Sequence, residues 1–304
     1  MEKTKNILDK KPSHTFAIII ALFVTLLWST SFILIKWGLY EIPPLTFAGL
    51  RYSLAFFVLV PFALRSSTLT EIKNLQKNDW RNLFLLGVLF YSITQGAQFV
   101  GLYFLPAVTV SLILNFTPVI VAFFGIWFLR ENLSLLKWLG ALLFLIGVMV
   151  YFIPINFLAS KTIGLIVMTL GVIANASSSV LGRKINRDGK LSPLTITIVS
   201  MGFGSTIMLF VGLFFQGFDG ISLNNFLLLL WLSVVNTALA FTLWNLSLKT
   251  LTAMESTIIN GTMLIQIAFL SYIFLGEVIT LQEGIGMAIA AVGALLVQIK
   301  RKSK

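Results

Sequence analysis

The sequence predicts an all-α integral membrane protein of ten transmembrane helices, arranged as two inverted five-helix repeats. Three observations carry this expectation. Of 304 residues, 58% are apolar and 11% charged, whereas soluble domains run at about 45–50% and about 25%. The 22 Lys and Arg, set against 11 Asp and Glu for a net charge of +11, fall between apolar runs. The later part of each half also matches the other at a fixed offset of 146 residues.

A spanning helix needs about 20 mostly apolar residues, because hydrocarbon offers backbone groups no partner outside their own helix. After a basic tail at 1–15 (Lys3, Lys5, Lys10, Lys11), the first span is expected at 16–36. A cleaved signal peptide is disfavoured there, since the apolar run is too long and no small-residue cleavage site follows Trp28. Pro43–Pro44 separates it from the second span at 44–64, and the polar stretch Arg65 to Arg81 leads to the third at 82–103. Pro106 opens the fourth at 107–129; Arg130–Asn132 divides it from the fifth at 135–153, and Pro154 closes the first repeat, 16–154. The second repeat, 162–299, places spans at 162–182, 193–215, 222–247, 256–275 and 281–299. Its connections are Arg183 to Lys190, Asp219–Gly220 and Gly276–Glu277, and a basic tail follows at 300–304.

With the amino terminus in the cytoplasm, nineteen Lys and Arg lie in inner loops and tails, only Lys36 and Lys161 lie outside, and Arg51 sits within the second span. This is the positive-inside pattern of a cell-membrane protein with both termini cytoplasmic, so the basic charge reports orientation and not a nucleic-acid partner. An error of one span would scramble the partition.

Glu131 matches Glu277, Gly140 Gly286, Gly147 Gly293 and Ala107 Ala253 at the same offset, and Pro44-Leu45-Thr46 matches Pro193-Leu194-Thr195 at a slightly different one. Five spans per half is odd, so the second half must run upside down, a device of secondary transporters. Trp28-Ser29-Thr30-Ser31-Phe32 to Lys36, Pro44-Leu45 to Leu50-Arg51-Tyr52, and Thr117-Pro118-Val119 through Leu129-Arg130-Glu131 to Gly140 and Gly147 resemble the EamA domain of the drug/metabolite transporter superfamily. The second copy is looser: Leu264 stands where a proline is expected and no tryptophan matches Trp28. The resemblance covers Phe16 to Val297 and implies ten helices, cytoplasmic termini and ATP-independent carriage of small metabolites, often outward.

The chemistry available is narrow. There is no cysteine, the one histidine, His14, lies in the tail, and no GxxxxGK[ST] loop occurs. No metal or cofactor is expected, and a membrane-embedded enzyme would lack its nucleophile and base. All eleven carboxylates fall in tails, loops or span ends. Arg51, seven residues into its span, would either attract a substrate carboxylate or snorkel and bond neighbouring carbonyls, at a cost of roughly 2.5–3.5 kcal/mol of insertion.

Neutral polar residues supply the other candidates. Tyr91, Gln95 and Gln98 share one helical face; Ser111, Asn115 and Pro118 repeat the spacing, and Ser256 and Asn260 answer in span nine. Trp28 and Trp244 lie away from the interfacial belts, and Gln98 and Trp244 are equivalent positions at the offset of 146. A cavity between the halves is therefore expected to be lined by Trp28, Gln95, Gln98, Asn115, Trp244, Asn245 and Asn260, with Arg51; interhelical glue is the alternative for the amides. Pro118 is a candidate hinge that frees the carbonyl of Leu114. Glu131 and Glu277 are expected to cap spans five and ten, with Ser134 and Thr280, or to act as paired gates. The small faces of Gly140, Gly147, Gly286 and Gly293 suit close helix contact, within the monomer or in a homodimer.

The expected function is a secondary transporter, an exporter of a small neutral or zwitterionic metabolite such as an amino acid, working by alternating access about a midplane site. Its partners are that substrate and membrane lipid, with no nucleic acid. A structural or sensory membrane protein explains inverted repeats and polar stripes poorly.

Overall fold

A computed structural model describes residues 12–64, 66–129, 135–153, 159–187, 190–251 and 253–298. The described residues form helices and connections with no strand. The helices are α1 (His14–Gly38), α2 (Pro44–Ala63), α3 (Ser66–Lys73), α4 (Lys77–Phe104), α5 (Ala107–Leu114), α6 (Thr117–Leu129) and α7 (Leu135–Phe152) in the first half. The second half holds α8 (Ala159–Arg187), α9 (Pro193–Gln216), α10 (Leu223–Leu248), α11 (Ala253–Gly261), α12 (Met263–Leu275) and α13 (Leu281–Gln298). Nine of the described helical stretches are long and apolar enough to cross a membrane, and α13 adds an apolar run over Leu281–Val297. Nine of the expected spans therefore coincide with such a stretch, and the expected span at 281–299 falls on the shorter α13. The short α3 lies in what the sequence suggested was merely a polar connection.

The two halves interleave through glycines. A Cβ on Gly147 would meet the Ala290 backbone nitrogen at 2.3 Å and Gly286 O at 2.6 Å. One on Gly293 would meet Phe144 N at 2.3 Å and Gly140 O at 2.7 Å. The small faces of α7 and α13 are thus packed on each other inside the monomer, backbone against backbone, as lipid-embedded helices with little hydrophobic driving force between them require. The same closeness joins α2 to α9, where Gly49 faces the Leu209 backbone and Gly212 the Thr46 backbone. The α2–α9 pair belongs to a core centred on Phe47, Phe99, Leu102, Met168, Met201, Leu229, Leu232 and Ile267. Phe47 and Phe99 meet edge to face at 5.1 Å. Large apolar residues such as Leu142, Phe210, Phe214 and Ile265 face outward, which suits a hydrocarbon surround.

Four of these rods are irregular, and the irregularities fall in matching places. α4 contains a widened π segment, Gly87–Thr94, and α10 another, Val234–Leu239. In each, a threonine hydroxyl donates to the carbonyl five residues back: Thr94 to Leu89 O at 2.8 Å, Thr237 to Leu232 O at 2.8 Å. The hydroxyl takes up a carbonyl that the wider turn leaves poorly paired. The fourth span breaks between α5 and α6 at Asn115–Phe116, and the ninth between α11 and α12 at Thr262. An offset of 146 carries the first break onto the second.

Pro118 does more than kink its helix. It occupies the first turn of the new helix α6, where a missing N–H costs nothing. The Leu114 carbonyl accepts from the Thr117 hydroxyl at 2.8 Å. The second break was not expected, because Leu264 replaces the proline.

Candidate functional site

Where α1, α2 and the π segment of α10 meet, the bundle encloses a polar cluster. Arg51 on α2 is 4% exposed. Its Nε donates to Thr237 Oγ1 at 3.0 Å and an Nη to Ser31 Oγ at 3.5 Å. The guanidinium carbon stands 5.3 Å from the Tyr52 ring centroid and 6.0 Å from that of Phe99. Among the described residues no carboxylate lies within ion-pair distance of it. The structure thus corrects one expectation: Arg51 neither snorkels nor bonds carbonyls, but is buried against one hydroxyl from each half and two aromatic rings of the first half.

Asn236, on the π segment, completes the cluster. Its Nδ2 donates to Leu27 O, to Thr30 Oγ1 at 3.1 Å and to Ser31 Oγ at 2.9 Å. Ser31 Oγ therefore joins the amide to the guanidinium. Asn236 Oδ1 is buried with no hydrogen-bond partner. On the other side of Arg51, Tyr52 donates to Gln95 Oε1 at 2.6 Å, and Tyr52 and Tyr91 meet edge to face at 5.6 Å.

The broken helices carry polar bridges to α8 and α1. Asn115 Nδ2 donates to Ser111 O at 2.9 Å, and Asn175 on α8 donates to Thr117 Oγ1 at 3.0 Å. In the other half, Ser29 on α1 donates to Gln266 Oε1 at 2.9 Å, while Gln266 Nε2 donates to Thr25 and Thr262 hydroxyls at 3.2 and 3.0 Å. Trp28 stands 5.1 Å from Trp244 and 5.5 Å from Phe241, ring to ring.

The helix ends bring carboxylates to the bundle's rims. Gly276 adopts φ of 65° at the end of α12, a left-handed turn that glycine enters without strain. That turn places Glu277 beneath α5, where its carboxylate accepts from Ala107 N at 2.8 Å and Val108 N at 3.3 Å. Pro106, at the N-cap of α5, has no side-chain acceptor of its own. Glu277 therefore caps α5 and not the tenth span, whose cap is Thr280 with Glu283. Glu41 accepts from Ser222 and Asn225 at the start of α10, and these bonds hold its carboxyl below the ordinary range. Glu71 accepts from Thr195 Oγ1 at 2.6 Å and Ser192 N at 2.9 Å. Burial pushes the Glu71 carboxyl up, but the bonds from Thr195 and Ser192 outweigh it and hold it low.

Of the residues singled out from sequence, Trp28 and Trp244 are brought together, Arg51 and Gln95 share Tyr52 as a neighbour, and Asn115 sits at the break. Gln98 is half-buried one turn beyond Gln95. Asn260 is exposed on α11 and outside the Arg51 cluster. Glu131 and the Asn245 side chain lie outside the described residues. Sequence reasoning passed over Asn236, Thr237, Asn175 and Gln266, although an amide amid an apolar span was the signal that had flagged Asn115 and Asn260.

Interrupted membrane helices around a buried polar centre are the architecture of a multi-pass transporter. Comparison with known proteins gives the family: the EamA-like transporter family matches residues 15–153 and again 162–299, and the chain belongs to it. The chain is 27% identical over 304 residues to an uncharacterized transporter, YvbV, of Bacillus subtilis (strain 168), covering 96% of this chain and 94% of that one. It is 26% identical over 241 residues to a probable amino-acid metabolite efflux pump of Salmonella typhimurium (strain LT2), covering 74% and 75%. A solved crystal structure is similar with a TM-score of 0.67 at 18% identity, covering 93% of this chain and 97% of that one, a likeness of fold. Family and relatives make the protein a transporter and not an enzyme.

Proposed function

We propose that the protein is a secondary carrier that exports a small neutral or zwitterionic metabolite, such as an amino acid, across the cell membrane. In this reading it has ten spans in two inverted five-helix repeats, with both termini in the cytoplasm. The observation that carries the proposal is the pair of helix breaks, at Asn115–Phe116 and at Thr262, placed 146 residues apart. A discontinuous helix in each half supplies a pair of hinges, and carriers bind substrate beside such interrupted helices. Trp28, Gln98, Asn115 and Trp244 are the proposed contacts, Pro118 the hinge residue, and Glu131 and Glu277 the gates. The relative named as an amino-acid metabolite efflux pump supports the substrate class. The test is exchange in proteoliposomes: vesicles loaded with the twenty protein amino acids should take up at least one labelled amino acid faster than protein-free or unloaded vesicles. No acceleration with any amino acid would refute the reading.

A further inference from the structure

Arg51 and Asn236 present two unmet needs side by side. A guanidinium carries five N–H donors; Thr237 and Ser31 engage two of them, the second at the long distance of 3.5 Å. A charge this deeply buried is costly unless an anion pairs it, and no described carboxylate does. Asn236 Oδ1 is a buried acceptor with no donor. Its orientation is fixed by the network: Nδ2 faces Leu27 O, which can only accept, so the oxygen is the atom left over. One hydroxyl, Ser31 Oγ, separates the two groups, accepting from Asn236 at 2.9 Å and from Arg51 at 3.5 Å.

We infer that Arg51 and Asn236 form a clamp for the head group of an α-amino acid, the guanidinium pairing its carboxylate and Asn236 Oδ1 accepting from its ammonium. This rests on the carrier reading above and deepens it. The two groups of an α-amino acid share one carbon, which matches a donor site and an acceptor site one hydroxyl apart. A plain carboxylate would pair Arg51 yet leave Oδ1 unsatisfied, and a plain amine would bring a second cation against the first. The zwitterion alone meets both needs with no net charge. The clamp draws Ser31 and Arg51 from one half and Asn236 and Thr237 from the other, so movement between halves would assemble and dismantle it. The π turn of α10 carries both Asn236, which meets Ser31, and Thr237, which meets Arg51.

The test is ligand binding to the purified full-length protein in nanodiscs, read by calorimetry. The twenty protein amino acids are screened, and the best binder is compared with its deaminated acid and decarboxylated amine; for leucine these are 4-methylpentanoate and 3-methylbutylamine. Wild type should bind the amino acid at least tenfold more tightly than either one-ended analogue. Arg51→Gln should weaken the amino acid and the acid at least tenfold and leave the amine no weaker, since the cation that repels it is gone; Asn236→Leu should weaken the amino acid and the amine and leave the acid unchanged. The wild-type ranking needs no variant to fold: an acid equal to the amino acid removes the Asn236 arm, and an amine equal to it removes the Arg51 arm. Absence of binding by every amino acid overturns the clamp. Exchange of an amino acid that persists undiminished in Arg51→Gln overturns the clamp while leaving the carrier standing, whereas absence of exchange in wild type refutes the carrier itself.

Discussion

Gly147→Ala probes the packing that joins the two halves. The added methyl would lie 2.3 Å from Ala290 N, 2.6 Å from Gly286 O and 2.8 Å from Ala290 Cα. Non-bonded atoms settle near 3.5–4.0 Å, so the overlap is about an ångström, and it falls on backbone atoms that have no rotamer to yield. Relief requires α7 and α13 to part along their length. Overpacking of this kind costs about 1–3 kcal/mol, offset by about 0.5–1 kcal/mol from replacing a helical glycine. Gly284→Ala, on α13 with nothing within 4 Å of the new carbon, keeps only the second, favourable contribution. The two single-methyl variants should therefore differ by about 1–3 kcal/mol, or several degrees in Tm at about 2–4 °C per kcal/mol. Fluorescence-detected size-exclusion after heating in detergent measures both. Gly147→Ala melting at or above Gly284→Ala would show that the helices do not approach as described.

Three further outcomes are expected. Because hydrogen bonds hold the Glu71 carboxyl below its unfolded value, its stabilising effect is present above the ordinary carboxylate range and is lost as pH falls below it; Tm measured from pH 7 to pH 3 should fall more steeply for wild type than for Glu71→Gln, and parallel curves would remove the latch between α3 and α9. Asn175→Leu should cost about 0.6 kcal/mol, the usual worth of one interhelical bond in a membrane, and a loss above 3 kcal/mol would mean that the bond to Thr117 is only part of what Asn175 does. Reporter fusions after Lys190 and after Asp219 should give cytoplasmic and external signals respectively; the same side for both would end the ten-span topology.

Hydrophobic run length and loop charge made the helices legible, because both are one-dimensional quantities that the bilayer imposes. Nine of the expected spans coincide with helical stretches long and apolar enough to cross a membrane, the run at 281–299 falls on the shorter apolar α13, and Pro118 flagged the break that follows Leu114. The break at Thr262 was hidden because Gly261 and Thr262 interrupt a helix without proline. The π segments were hidden because a widened turn leaves no periodic mark over so few residues. The Glu277 cap was misassigned to the nearest helix in sequence, α13, whereas Gly276 turns the chain so that the carboxylate meets α5. Arg51 was noticed for its depth, but its hydrogen-bond partners come from α1 and α10, and no sequence spacing relates Ser31 to Asn236.

Alternating access to a site between the halves is the central claim, and the cysteine-free chain allows it to be tested directly. Gln98→Cys should react with a membrane-impermeant thiol reagent applied to right-side-out vesicles and also to inside-out vesicles, and a transported amino acid should slow both reactions. Cys at the outward-facing Leu142 and Val292 should stay unlabelled from either side. Labelling of Gln98→Cys from one face only, in vesicles that still exchange amino acids, would contradict the account.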